Sequence, residues 1–91
     1  MKQFITENKI IIHPMVNLEK TGQNIKFLRE EKGMSVQKLA DFMEFEAVQA
    51  VYNWQSGRSL PSIENLKILS ELFNKPMEEI LVFEQSETNR N

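Results

Sequence analysis

From Leu18 to Lys32 the apolar positions keep helical time. Leu18, Thr21, Ile25 and Leu28 recur at steps of three and four residues, so at about 100° per residue they share one face. Gly33 then follows Lys32 as a stop signal. Phe27 points away from the stripe. Ser35 is placed to cap a second helix over residues 35–43, with Leu39, Ala40 and Met43 inward. After the short connection "EFE", a third helix is expected over 47–56, ended by Gly57. "RSLP" reads as a turn. Ser62 opens a fourth helix whose inward side chains are Leu66, Leu69 and Phe73, flanked by Ile63 and Leu72. Asn74 suits a left-handed terminator, and Pro76 suits the start of a short final helix, "PMEEIL".

Ahead of Leu18 this period fails. Residues 1–16 read as an arm, and the β-branched run "KIII" favours extended structure or a short strand. Pro14 turns His13 away from helix. The polar stretch 84–91 is expected to be a disordered tail. The pattern therefore predicts one all-α domain over 17–83: a compact five-helix bundle with an N-terminal extension.

Composition narrows the chemistry. The chain has 91 residues, enough for one small domain whose core must be efficient. It contains no cysteine, which excludes disulfides and thiolate metal sites, and its single histidine cannot hold a metal alone. No metal or cofactor is expected. No apolar run approaches the roughly 20 residues that span a bilayer, and "IIIH" is shorter than a signal-peptide core. The expectation is a cytoplasmic protein without a membrane partner. Enzyme chemistry finds no support: there is no phosphate-cradling glycine loop and no evident carboxylate dyad, and so no small-molecule substrate is expected. The net charge of −2 argues against nucleic acid only globally. For a small reader domain, the decisive question is which face carries the charge.

The third helix answers part of that question. On a helical wheel Ala47, Ala50, Val51 and Trp54 fall on one side, and Gln49, Tyr52, Asn53 and Ser56 fall on the other. The first set suits close packing. The second is nearly free of charge and rich in groups that both donate and accept hydrogen bonds. Base edges in a major groove ask for that chemistry. Arg58 follows where a cation can reach a phosphate. A helix, a tight turn, a helix with a polar outer face and then Gly-Arg is the layout of a helix-turn-helix.

These residues carry a resemblance. "GQNIKFLREEKGMSVQKLADFM" followed by "VYNWQSGRSLPSIENLKILSELFNKPMEEIL" resembles the phage-repressor-type, or xenobiotic-response-element, helix-turn-helix family over about residues 18–82. Ile25, Leu28 and Arg29 match its opening Ile-x-x-Leu-Arg, and Leu39-Ala40 its Leu-Ala pair. Trp54, Gln55, Ser56 and Gly57 match its Trp-Glu-x-Gly, and Pro61, Ser62 and Leu66 its Pro-Ser-x-x-x-Leu. Three departures stand out. Glu44 replaces the usual turn glycine. The Leu39-to-Trp54 interval is one residue longer than the common pattern. Ser35-Val36 stands where Thr-Gln is frequent, so Gln37 or Lys38 takes over the phosphate role that Val36 cannot fill.

The resemblance implies a lambda-repressor-like bundle and a DNA-binding transcription regulator, most simply a repressor acting as a homodimer on an inverted-repeat operator. Expected base readers are Val48, Gln49, Tyr52 and Asn53. Expected phosphate contacts are Ser35, Gln37, Lys38, Ser56 and Arg58. Lys26, Arg29 and Lys32 read as ordinary solvated charges. Glu44 and Glu46 either cap the third helix or weaken non-specific binding. Phe27, Ile68, the isoleucines 10–12 and Leu81–Phe83 are candidate dimer contacts. The alternative reading is a protein-interaction module, or an antitoxin-like partner protein, that keeps the fold with weak or no DNA binding.

Overall fold

Three of the helices begin where a side-chain cap puts them. Asn17, Ser35 and Ser62 each accept a hydrogen bond from the backbone N–H three residues on, at Lys20 (2.8 Å), Lys38 (3.0 Å) and Asn65 (3.1 Å). The computed structural model describes the backbone of residues 3–6 and 9–12 and the chain from 14 to 84. A hairpin of β1 (Gln3–Thr6) and β2 (Lys9–Ile12) precedes α1 (Leu18–Glu31), α2 (Val36–Phe42), α3 (Gln49–Gln55), α4 (Ile63–Phe73) and α5 (Met77–Ile80). The strands pair antiparallel, with Phe4 opposite Ile11 and Ile5 opposite Ile10. The expectations for His13 and for the tail beyond Glu84 lie outside the described residues.

The first four helices close in the same way. A left-handed residue follows each, and the next N–H reaches back into the last turn: Met34 to Arg29 O (3.1 Å), Phe45 to Ala40 O (2.9 Å), Arg58 to Asn53 O (2.9 Å) and Lys75 to Ser70 O (3.1 Å). The left-handed residues are Gly33, Glu44, Gly57 and Asn74. Glu44 is the costly member, because a Cβ crowds the backbone at its φ of 63°.

The core runs through every helix. Ile25, Leu39, Val51, Leu69 and Ile80 are fully buried, with Leu28, Met43, Trp54, Leu66 and Phe73 around them. The spacing of α1 and α3 is set at Gly22, where a Cβ would lie 2.1 Å from the Trp54 carbonyl oxygen. Phe45 meets the Trp54 ring edge-on, with centroids 5.6 Å apart. Two expected inward positions turn out otherwise. Leu18 is exposed, because the buried stripe of α1 starts one turn later at Thr21 and Gly22. Ala47 is exposed, because the connection after α2 runs on and α3 begins only at Gln49.

The segments on either side of the helical bundle are sewn to each other and to α1. Val16 and Phe83 form an antiparallel bridge, Asn17 N–H donates to Val82 O (2.7 Å), and Glu84 N–H donates to Met15 O (2.8 Å). Buried Thr21 accepts from Val82 N–H through Oγ1 (2.8 Å), and Asn24 Nδ2 donates to the carbonyls of Glu79 and Ile80 (3.0 Å each). Leu81 packs on the core and Val82 is held by these bonds, so both are engaged within the chain. Phe27, Ile68 and Phe83 remain exposed apolar groups.

Candidate nucleic-acid interface

The angle between α2 and α3 is held from behind. Arg29 is only 7% exposed. Its Nε donates to Gln55 Oε1 (2.8 Å) and its Nη1 to the Met34 carbonyl (2.5 Å), with the Glu30 carboxylate 3.7 Å away. One guanidinium thus ties the end of α1 to the lead-in of α2 and the end of α3. Arg29 is therefore not the solvated charge that the sequence suggests. It follows Ile25 and Leu28 on the buried side of α1, and burial with satisfied N–H donors is what a guanidinium there requires. The signal was present, since 21, 25, 28 and 29 complete one helical face. Gly22 and Gln55 were also missed. A glycine inside a helical pattern costs about 1 kcal/mol against alanine, and the close approach of α3 accounts for it here.

The opposite side of α3 faces outward. Gln49 and Tyr52 are exposed, and Asn53 is half-buried. Gln49 Nε2 donates to Asn53 Oδ1 at 3.0 Å, so the two amides are coupled. Val48 is different. It is the residue before the first turn of α3 and packs partly against the core, which reduces what it can present.

The expected phosphate set divides by what its hydrogen-bonding groups already do. Ser35 Oγ accepts from Lys38 N–H and keeps its own proton to donate. Ser56 Oγ donates inward to Asn53 O (3.2 Å). Gln37 Nε2 donates to Asp41 Oδ1 (2.9 Å), leaving one N–H. Lys38 and Arg58 are exposed and form no ion pair among the described residues. Among the described residues no side chain caps α3, so neither Glu44 nor Glu46 serves as its N-cap. Glu44 is instead the left-handed residue that closes α2. Residues 35–58 carry two cations against the carboxylates of Asp41, Glu44 and Glu46, a weakly acidic balance beside a polar helix face.

A family model described as helix-turn-helix matches residues 25–80, more than half of the chain. The chain belongs to the helix-turn-helix family. Its two defining helices are α2 and α3, and the family match runs from the core residue Ile25 to the core residue Ile80. Two solved structures share the arrangement at a TM-score of 0.61 and 16% identity, each match covering 72% of this chain. One is the S. venezulae BldD DNA-binding domain, 97% of which is covered; the other is a crystal structure of the DNA-binding domain of BldD, 94% covered. At that identity the likeness establishes the fold. No curated protein matches the chain. No helix among the described residues is long and apolar enough to cross a membrane.

Proposed function

We propose that this helix-turn-helix protein is a sequence-specific DNA-binding transcription regulator, reading the major groove with α3 and acting as a repressor by occupying its operator. The observation that carries the reading is the outer face of α3. It is an exposed, uncharged hydrogen-bonding surface, on a helix whose inner face is locked by Trp54, Gly22 and the Arg29–Gln55 bond. The shared fold with the BldD DNA-binding domain supports it. In this reading Gln49 and Tyr52 meet base edges, Asn53 supports them from the same face of α3, and Val48 sits at the margin. Lys38, Arg58 and Ser35 meet phosphates, with Gln37 and Ser56 in support. α3 offers few base contacts, so two copies on an inverted repeat, with recognition helices about 34 Å apart, supply the rest. The β1–β2 hairpin supports pairing: a two-stranded sheet is marginal alone, and β1 carries no charge to discourage a second copy.

The carboxylates around α3 favour a second reading, an interaction module on the same fold. Selection from a random duplex library at two salt concentrations separates the two. A regulator enriches a common motif at both; an interaction module enriches nothing.

A further inference from the structure

We propose that Asn53 is a positioning residue that holds Gln49 ready to read one adenine, and that the two amides act as a single reader instead of two. The inference rests on α3 being the DNA-reading helix.

A primary amide offers two N–H donors and two oxygen lone pairs. Gln49 Nε2 spends one donor on Asn53 Oδ1 at 3.0 Å. One N–H and the Oε1 oxygen of Gln49 remain, which is the donor–acceptor couple that pairs with adenine N7 and N6 in the major groove. Asn53 is the better anchor of the two. It is half-buried where Gln49 is exposed, and its shorter side chain has one rotatable bond fewer to restrain. Gln49 is exposed at the first turn of α3, and among the described residues its side chain has that one bond to restrain its rotamers. A free glutamine loses much rotamer freedom when it is fixed on a base. The bond to Asn53 removes that loss before DNA arrives. The benefit falls only on the site where Gln49 is used, so it appears as preference and leaves affinity for scrambled DNA unchanged.

The test uses the full chain and three variants: Gln49→Ala, Asn53→Ala and Asn53→Asp. Affinity is measured for the selected duplex and for duplexes changed at each base pair. The ¹⁵N relaxation of the Gln49 side-chain amide is measured without DNA. Gln49→Ala should flatten preference at one base pair per half-site. Asn53→Ala should lower preference several-fold at that same base pair and leave the Gln49 amide visibly more mobile. Asn53→Asp keeps an oxygen acceptor, so it should retain the preference and the ordered amide while weakening every duplex alike through its charge. Preference lost at a different base pair in Asn53→Ala would make Asn53 an independent reader and overturn the inference. An equally mobile Gln49 amide in wild type and Asn53→Ala overturns it without reference to DNA. If Gln49→Ala changes no preference in a protein that still selects DNA, the reading of α3 itself has failed.

Discussion

At the scale of single residues, the bundle depends on positions that contribute no apolar surface. Gly22 lets α1 approach the carbonyls of Trp54 and Gln55. Gly22→Ala gains about 1 kcal/mol of helix propensity. It also forces a methyl group against backbone that cannot swing aside, at the upper end of overpacking costs near 3 kcal/mol. The net expectation is a clear loss in the urea midpoint; an unchanged or raised midpoint would mean that the helices are not in contact there. Arg29 makes the converse case. Its buried guanidinium bonds a neutral amide, Gln55; that bond is ionic on the arginine side only, and a carboxylate in place of the amide would make both partners charged. Gln55→Glu should therefore raise stability by roughly 1 kcal/mol. A urea titration near neutral pH reads the gain, and a fall in the midpoint would show that the pair lacks room for a carboxylate.

At the scale of elements, much of the fold was legible because local rules and tertiary contacts agree. The serine caps of α2 and α4, the stops at Gly33, Gly57 and Asn74, and the inward face of α4 all follow from residue chemistry. The start of α3 was not legible. Among the described residues no side chain caps α3 at Val48, so no cap residue marks the boundary, and the helical period of the sequence alone starts two residues early, at Ala47. The C-terminal stitch was hidden for another reason: Val82 N–H and Thr21 Oγ1 are 61 residues apart in sequence, and nothing local announces the bond. Of the candidate site, the exposed face of α3 was legible from the wheel. The clamp behind it was not, because Arg29 and Gln55 meet only in three dimensions. The Glu44 turn gives an element-scale prediction. Glu44→Gly removes the Cβ penalty of a left-handed residue, against the greater freedom of glycine in the unfolded chain. The expected result is a gain of up to about 1 kcal/mol with the helix content unchanged; a loss would show that the Glu44 side chain holds the turn. Trp54→Ala should cost about 3–5 kcal/mol, because it removes a buried aromatic ring that packs edge-on against Phe45. That is a large share of a small domain's stability, so its thermal melt should fall steeply or vanish.

At the scale of the whole molecule, the acidic balance shapes how DNA binding should look. With Lys38 and Arg58 the main cations proposed to face DNA and three carboxylates close by in sequence, few phosphates would be neutralised per copy. Non-specific binding should be weak and the salt dependence shallow. Preference must then come from the hydrogen-bonding face of α3, doubled by a second copy. Sedimentation on a selected duplex should show two chains per site, and a single chain at saturation would sink the two-fold arrangement. The most direct test of the central claim is one titration series: affinity for a selected and a scrambled duplex across salt, for wild type, Gln49→Ala and Arg58→Ala. The account predicts that Gln49→Ala loses roughly 1–3 kcal/mol on the selected duplex alone and keeps its salt slope. Arg58→Ala should weaken both duplexes alike and reduce the slope by about one per subunit. Equal affinity of wild type for the two duplexes, or no salt-dependent binding to either, would contradict it.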